Sequence, residues 1–251
     1  MSQYAIIGKN LSHSFSRTYF EKKFKALKLN DYKYLNFDIS GIDELKTILD
    51  NHPNLKGFNV TMPYKESIIP FLDELSPEAK SIGAVNCVKI LPHTEPGRSG
   101  LRIGYNTDVF GFASSIKPFL EPQHNKALVL GTGGSSKAVA FALKNIGVEV
   151  YFVSSSKQQP NTFTYVQLNE QVISAFKLIV NTTPLGLFPN ESGCPNIPCQ
   201  FITDQHLCYD LIYNPEETLF LKKAKESGAV VINGLSMLQL QAEKSWEIWN
   251  P

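Results

Sequence analysis

The sequence has few cysteines, and this shortage argues against a disulfide framework and against a metal centre. Only 4 of its 251 residues are cysteine, and they include no Cys-x-x-Cys pair. Cys194 and Cys199 flank a PNIP segment, and no histidine lies nearby to complete a zinc site. We therefore expect reduced, structural thiols at Cys87, Cys194, Cys199 and Cys208 and no bound metal.

The sequence also lacks an excess of either charge. Its 24 lysines and arginines balance 23 aspartates and glutamates, and neither sign forms a long run, so no nucleic acid or membrane surface is expected as a partner. No apolar window reaches the length of a membrane span, and the start MSQYAIIGKN carries no basic segment followed by a sustained apolar stretch. We expect a cytoplasmic protein, either a monomer or a homodimer.

Apolar residues make up 43% of the chain, which is enough to form two hydrophobic cores at this length. In the first hundred residues, strand patterns (4–8, 32–39, 55–61) alternate with helix patterns (17–29, 41–51). A further helix is expected from Pro63 toward Phe71, with Thr61 as its cap. Strands at 84–91 and 100–106 then form a hairpin that closes the first unit.

Lys65 lies in the first turn of that expected helix. The positive end of the helix dipole disfavours an ammonium there by roughly 0.3–1 kcal/mol. One explanation is an exposed lysine that swings into water, and the other is a functional need for its charge. The spacing alone leaves both open.

A second alternation of strands and helices begins near residue 107. Strand patterns occur at 126–131, 148–154, 178–183, 206–213 and 229–233, and helix patterns at 108–120, 135–147, 217–228 and 236–249. Residues 184–198 are dense in Pro, Gly and Asn and predict a surface loop. The alternation predicts an α/β fold of the doubly wound type with a mostly parallel sheet.

A glycine-rich turn indicates a dinucleotide site. Gly131, Gly133 and Gly134 follow a buried strand and open a helix, and a second strand follows at the spacing of a βαβ unit. Such glycines allow a tight turn and a close approach of a pyrophosphate, which the helix amides can bind. A tight turn without a ligand is the alternative.

The choice of cofactor depends on the end of the second strand of that unit. An NAD site typically has an acid there, about 20 residues after the glycines, to bind the ribose 2′-hydroxyl. Residues 153–157 are VSSSK instead, and this segment has no arginine to bind a phosphate bidentately. Hydroxyl groups and a lysine tolerate a 2′-phosphate, so the segment favours NADP over NAD.

Polar residues also gather where elements of the first unit end. In an extended segment Ser14 and Ser16 would point to the same side, as two hydroxyls that bind a carboxylate do. The alternative for Ser16 is to cap the helix that starts near Arg17. Asn86 lies within a predicted strand, and Asp108 opens a predicted helix, where capping alone could explain an acid.

These residues lie at the ends of neighbouring elements, the position at which open α/β sheets bind ligands. The motifs around them are HSFS, NVTMPYK, GAVNC, GYNTDVFGF, GTGGSSKA, VNTTPLGL, YDLIYNP and GLSMLQLQAEKSW. In order and spacing, they resemble the shikimate dehydrogenase family. The resemblance runs from residue 4 to near the last residue.

The resemblance implies an N-terminal α/β substrate domain with a mostly parallel sheet (1–106), completed by the last helix (236–251). It also implies a Rossmann-like NADP-binding domain (107–235), with an active-site cleft between the two. The implied activity is the reversible NADPH-dependent reduction of 3-dehydroshikimate to shikimate in chorismate and aromatic amino acid biosynthesis.

The resemblance also implies residue roles. Ser14 and Ser16 resemble the carboxylate ligands, with Tyr213 assisting. Ring-hydroxyl contacts fall on Thr61, Asn86 and Gln241, although Gln241 could instead be a solvated helix edge. Lys65 and Asp108 resemble the catalytic acid–base pair, and both also contact substrate. The cofactor residues are Gly131, Thr132, Gly133, Gly134, Ser135, Ser154, Ser155, Ser156, Lys157, Asn181, Thr182, Gly186 and Gly234.

The chain departs from the family pattern in three places. Ser154, Ser155 and Ser156 replace the usual Asn-Arg-Thr, Arg17 replaces a proline, and Cys87 replaces a threonine. The first departure leaves open a quinate/shikimate enzyme that uses NAD. A catalytically silent nucleotide-dependent sensor and a dehydrogenase of another small acid are further alternatives, although a hydroxyl-rich pocket favours a polyol carboxylate.

Overall fold

The computed structural model describes residues 1–11, 14–92, 100–155 and 160–251. The chain divides into two compact units: unit 1 comprises residues 1–107 and 242–251, and unit 2 comprises residues 108–241. Within the described ranges, no helix is both long enough and apolar enough to pass through a membrane. Ser156 and Lys157, two of the predicted cofactor residues, lie outside the described residues.

Unit 1 is built on a six-stranded mixed sheet. Its strands are β1 (Ser2–Gly8), β2 (Tyr32–Asp38), β3 (Leu55–Val60), β4 (Glu74–Leu75), β5 (Cys87–Leu91) and β6 (Leu101–Tyr105), in the spatial order β2-β1-β3-β5-β6-β4. Its helices are α1 (Phe15–Ala26), α2 (Leu45–Asn51) and α3 (Pro77–Ile82). β1 is parallel to β2 and β3, whereas β5 is antiparallel to β3 and β6, so the predicted hairpin is confirmed.

The core of unit 1 includes the end of the chain. Phe20 and Phe24 lie four residues apart on the buried face of α1. They pack in one cluster with Tyr34 of β2 and with Trp249. The indole Nε1 of Trp249 donates a hydrogen bond to the carbonyl oxygen of Val88, at 2.9 Å. The C-terminal residues are therefore part of this core rather than a surface extension.

Unit 2 contains a second six-stranded sheet, in which every pair of neighbouring strands is parallel. Its strands are β7 (Lys126–Leu130), β8 (Glu149–Val153), β9 (Thr162–Phe163), β10 (Leu178–Asn181), β11 (Leu207–Asp210) and β12 (Val230–Ile232). The helices are α4 (Asp108–Ile116), α5 (Gly134–Asn145), α6 (Glu170–Ala175) and α7 (Leu219–Glu226). The last helix, α8 (Leu235–Trp249), passes from unit 2 into unit 1 at Ala242.

The strand order of unit 2 confirms the dinucleotide-binding architecture. The order is β12-β11-β10-β7-β8-β9, so the first strand of the unit, β7, lies at the centre beside β10. Starting from β7, this is the order of the doubly wound Rossmann fold. The topological switch point, where such sheets bind ligands, lies between the carboxyl ends of β7 and β10.

The prediction of a helix from Pro63 toward Phe71 is wrong. Residues 62–68 form turns, and a short 3-10 helix follows at Ile69–Phe71. In an α-helix the carbonyl oxygen of Lys65 would accept from the N–H of Ile69. Here the Ile69 N–H donates to Glu66 at 3.3 Å, and the Lys65 carbonyl accepts from Val85 at 2.7 Å. Lys65 therefore does not face a helix dipole.

Candidate active site

Asn86 is held at the start of β5 by a dense set of hydrogen bonds. It lies immediately before the strand rather than within it as predicted, and it is 3% exposed. Its backbone N–H donates to Tyr105 at 3.1 Å, and its carbonyl accepts from Val60 at 2.9 Å. Its Oδ1 accepts from the N–H of Thr107 at 2.6 Å, and its Nδ2 donates to Thr107 Oγ1 at 3.0 Å.

Lys65 and Asp108 each lie beside a residue of this arrangement. The carbonyl oxygen of Lys65 accepts from Val85, the neighbour of Asn86 in the chain, and its side chain is partly buried. Asp108 directly follows Thr107, opens α4 as predicted, and is 5% exposed. The hydrogen bonds of Asn86 with Thr107 therefore hold the residue that immediately precedes Asp108.

Ser14 and Ser16 do not form the extended pair that the sequence predicts. Ser14 is extended and precedes α1, but Ser16 already lies in the first turn of the helix, so it is not the cap either. The Oγ of Ser14 is buried and has no hydrogen-bond partner among the residues that the structure describes. Burial raises the pKa of the Tyr34 hydroxyl, and Ser16 beside it acts in the opposite direction.

Thr61 follows the carboxyl end of β3 and is partly exposed. Its N–H donates to Ile7 and its carbonyl accepts from Tyr64, each at 2.9 Å. Both backbone polar groups of Thr61, whose side chain is expected to bind substrate, are therefore held by hydrogen bonds.

The glycine-rich turn of unit 2 lies where the sequence predicts it, between β7 and α5. Gly131 has φ +109°, in the left-handed region that favours glycine, and a Cβ there would lie 2.8 Å from Thr182 Oγ1. Gly133 is the N-cap of α5 and Gly134 is its first residue. Thr132 and Ser135 are partly exposed.

The loop after β10 is joined to this turn at the switch point. Thr182 Oγ1 donates to the carbonyl of Leu130 at 2.5 Å and shares a hydrogen bond with Ser136 Oγ at 2.6 Å. The predicted cofactor residues Gly131 and Thr182 are therefore neighbours in space, although they lie far apart in the sequence. Gly186 lies further along the same loop and is buried.

Sequence reasoning missed Asp210, which supports that loop. Asp210 is 0% exposed, and its two oxygens accept from Asn181 Nδ2 at 3.1 Å, from the Ile212 N–H at 3.0 Å and from Thr218 Oγ1 at 2.7 Å. Burial raises its pKa to about 6, and these hydrogen bonds act in the opposite direction. Asn181 Oδ1 in turn accepts from the N–H of Thr183 at 3.0 Å. An aspartate at the end of a fully apolar parallel strand was the available signal.

The remaining predicted residues lie near the ends of strands or in α8. Ser154 is buried at the end of β8 and Ser155 is exposed, whereas Tyr213 follows β11 and is partly exposed. Gly234 immediately precedes α8. Gln241 is 7% exposed and its Nε2 donates to Leu238 at 3.1 Å, so the alternative of a solvated helix edge is wrong.

The four cysteines form no disulfide with one another. All four cysteines are free, and burial raises the pKa of Cys87 to about 12. Among the described residues, no group of three or more His, Cys, Asp and Glu side chains could hold a metal ion.

Comparison with known proteins identifies the family. The family model described as the shikimate dehydrogenase substrate binding domain matches residues 6–88. Shikimate dehydrogenase (NADP(+)) of Carboxydothermus hydrogenoformans is 40% identical, over 97% of this chain and 90% of that protein.

Two crystal structures agree. Shikimate dehydrogenase from Aquifex aeolicus is 37% identical with a TM-score of 0.86, over 100% of this chain and 92% of that one. Shikimate 5-dehydrogenase from Thermus thermophilus, in complex with NADP(H) and shikimate, is 32% identical with a TM-score of 0.82, over 100% and 94%. The chain belongs to the shikimate dehydrogenase family.

Proposed function

We propose that this chain catalyses the reversible NADPH-dependent reduction of 3-dehydroshikimate to shikimate, a step of chorismate and aromatic amino acid biosynthesis. The observation that carries the proposal is the 40% identity to an NADP-dependent shikimate dehydrogenase over 97% of the chain. Such a likeness covers both units, so the substrate-binding and the cofactor-binding parts are both included. We assign substrate binding to unit 1 and cofactor binding to unit 2.

The cofactor site that we propose is the glycine-rich turn and the loop after β10. The turn suits a pyrophosphate because α5 begins there, and apart from the adjoining residues no described atom lies within 4 Å of a Cβ placed on Gly133. Ser154 and Ser155 follow β8, where we assign the adenine ribose, and Ser156 and Lys157 are assigned to the same site from the sequence alone. Neutral hydroxyls and a lysine do not repel a 2′-phosphate, which supports NADP as the cofactor.

Lys65 and Asp108 are the proposed acid–base pair. When bound, the reduced nicotinamide supplies a hydride to the carbonyl carbon of the substrate. The protein must then deliver one proton to the carbonyl oxygen and receive it again in the reverse direction. We assign that proton to Lys65 and Asp108 as a coupled unit, because Val85–Asn86 and Thr107 tie their backbones to one hydrogen-bonded arrangement.

Substrate binding is assigned mainly to residues of unit 1, and Tyr213 and Gln241 of unit 2 are added to them. Ser14 and Ser16, assisted by Tyr213, would bind the carboxylate, and Thr61, Asn86 and Gln241 would bind ring hydroxyls. The buried Oγ of Ser14 supports this assignment: it has no partner within the described ranges, and such a hydroxyl costs about 1–3 kcal/mol that a carboxylate ligand would recover.

Replacement of these serines should weaken substrate binding rather than chemistry. For Ser14→Ala and Ser16→Ala we expect KM for shikimate to rise roughly 10- to 100-fold, because each loses a hydrogen bond to a charged group. The kcat at saturation and the KM for NADP should change little. Steady-state kinetics measure all three quantities. Ser81→Ala, an exposed serine of α3, is the control, and an unaltered KM for shikimate in the Ser14 and Ser16 variants would refute the carboxylate assignment.

One assay tests the proposed function as a whole. Purified protein is incubated with shikimate and NADP, and absorbance is followed at the reduced nicotinamide band. Formation of NADPH, with kcat/KM for NADP above that for NAD, is the expected result. A higher kcat/KM with NAD and with quinate would favour the quinate/shikimate enzyme, and no turnover with either cofactor would favour the silent sensor.

A further inference from the structure

A hydrogen-bonded series of buried polar side chains in unit 1 ends at the side chain of Asn86. The Tyr34 hydroxyl donates to Asn59 Oδ1 at 2.8 Å. Asn59 Nδ2 donates to Ser245 Oγ at 2.9 Å, and Ser245 Oγ shares a hydrogen bond with Thr107 Oγ1 at 3.2 Å. Thr107 in turn is hydrogen-bonded to the side-chain amide of Asn86. This series of hydrogen bonds joins β2, β3 and α8 to the segment that precedes Asp108.

This arrangement is costly unless every member is paired. Ser245 is 0% exposed, and Tyr34, Asn59 and Thr107 are also buried. A buried hydroxyl or amide without a hydrogen bond costs several kcal/mol by order of magnitude, whereas an apolar side chain in the same place costs nothing of this kind. A polar chain of this length in a core therefore calls for a role beyond packing.

Backbone groups determine the orientation of both amides. Asn59 faces the carbonyl oxygen of Asn86 at 3.1 Å, and since that oxygen can only accept, the group facing it is the Nδ2 of Asn59. Asn86 faces the backbone N–H of Thr107 at 2.6 Å, and since that group can only donate, the atom facing it is Oδ1. Neither amide can flip without losing a hydrogen bond to the backbone.

The hydroxyl protons then follow one direction. The single proton of the Thr107 hydroxyl is used in its bond to Asn86 Oδ1, so Ser245 Oγ donates to Thr107 Oγ1 while it accepts from Asn59. The Thr107 hydroxyl donates to Asn86 Oδ1 at 3.2 Å, beside the bond from its backbone N–H. Both lone pairs of that oxygen are thus occupied by Thr107. The amide of Asn86 is held in a single orientation before any ligand binds.

We propose that Asn59 and Ser245 are positioning residues of the active site, which act on substrate through Asn86 and Thr107. They fix the amide of Asn86, the side chain that contacts a ring hydroxyl, and Thr107 is the residue through which they do so. Ser245 lies in α8, so the C-terminal helix contributes to the site as well as to the core. This inference rests on the proposed function, because it requires Asn86 to contact substrate.

The test is a double-mutant cycle with Ser245→Ala and Asn86→Ala. For Ser245→Ala we expect kcat/KM for shikimate to fall about 10-fold with KM for NADP unchanged, because Asn59 and Thr107 lose their common partner. If Ser245 acts through Asn86, the double variant should be no worse than Asn86→Ala alone, within about twofold. Losses that multiply, or a Ser245→Ala enzyme with normal kcat/KM, would overturn the proposal.

A matched control separates positioning from stability. Ser115 is also a buried helical serine, and its Oγ bonds the Tyr209 hydroxyl at 2.8 Å and the Phe112 carbonyl at 2.9 Å. Ser115→Ala should lower Tm without lowering kcat/KM for shikimate. An equal catalytic loss in both serine variants would mean that destabilisation explains the result and would overturn the proposal.

A second variant keeps the test decisive if Ser245→Ala does not fold. Asn59→Ala removes the amide that bonds Ser245 Oγ and the Tyr34 hydroxyl, and it leaves the Tyr34 ring in its aromatic cluster. It should lower kcat/KM in the same direction and show the same lack of additivity with Asn86→Ala. Wild-type protein that forms no NADPH from shikimate would contradict the proposed function, whereas active wild type with multiplying losses would contradict only the positioning role.

Discussion

Lys65→Ala and Asp108→Asn should each lower kcat for shikimate oxidation by about 100-fold or more, while NADP binding stays within a few fold. General acid–base catalysis typically contributes 10²- to 10⁴-fold, and either substitution removes one half of the proposed proton-transfer unit. The residues assigned to NADP do not include Lys65 or Asp108. The affinity for NADP should therefore not fall with kcat. Steady-state kinetics give kcat, and fluorescence titration of NADPH gives the affinity.

The matched control for the lysine is Lys89→Ala. Lys89 lies on β5 of the same unit and is partly buried, as Lys65 is, so it reports the effect of losing an ammonium from unit 1. Its kcat should remain near that of the wild type. The double variant Lys65→Ala/Asp108→Asn should be about as slow as the slower single variant, since residues that act as a unit are not additive. Near-normal turnover in either single variant would refute the assigned roles.

The fold follows from patterns that are local in the sequence. Alternating apolar segments predict every strand of unit 2 except the two-residue β9, and the glycines between β7 and α5 predict a ligand-binding turn at the centre of its sheet. α3 also carries a local start signal, which is independent of apolar periodicity. Ser76 caps it by accepting from the Ala79 N–H, and Pro77 is its first residue, a common start signal.

Other features could not be predicted because they depend on residues distant in the chain. The carbonyl of Lys65 accepts from Val85 rather than from Ile69, and residues 62–68 form turns instead of a helix. Asn59 and Ser245 meet across a sequence separation of 186 residues. Propensity scales describe neighbours along the chain and hold no information on such pairs. The residues of the site are thus recognised by motif, whereas the side chains that orient them appear only in the fold.

Gly133→Ser should raise KM for NADP by roughly 10- to 100-fold without destabilising the protein, which corresponds to about 1.4–2.8 kcal/mol of lost binding. Gly133 has φ −81° and ψ −174°, a conformation open to any residue, and apart from the adjoining residues no described atom lies within 4 Å of a Cβ built there. Serine is also at least as good an N-cap as glycine. Nothing within unit 2 therefore requires glycine at this position, and the close approach of a cofactor phosphate to the backbone is the remaining reason for it.

Comparison with Gly131→Ser separates the two requirements for glycine in this turn. At Gly131, a serine meets both the positive φ and Thr182 Oγ1 at 2.8 Å, so the fold itself should lose about 1–3 kcal/mol of stability. Thermal unfolding should therefore show a lower Tm for Gly131→Ser and a wild-type or higher Tm for Gly133→Ser. KM for shikimate should stay unchanged in Gly133→Ser, because the added side chain lies at the cofactor phosphates. If Gly133→Ser binds NADP normally, the phosphate does not approach this turn and the cofactor site must be assigned elsewhere in unit 2.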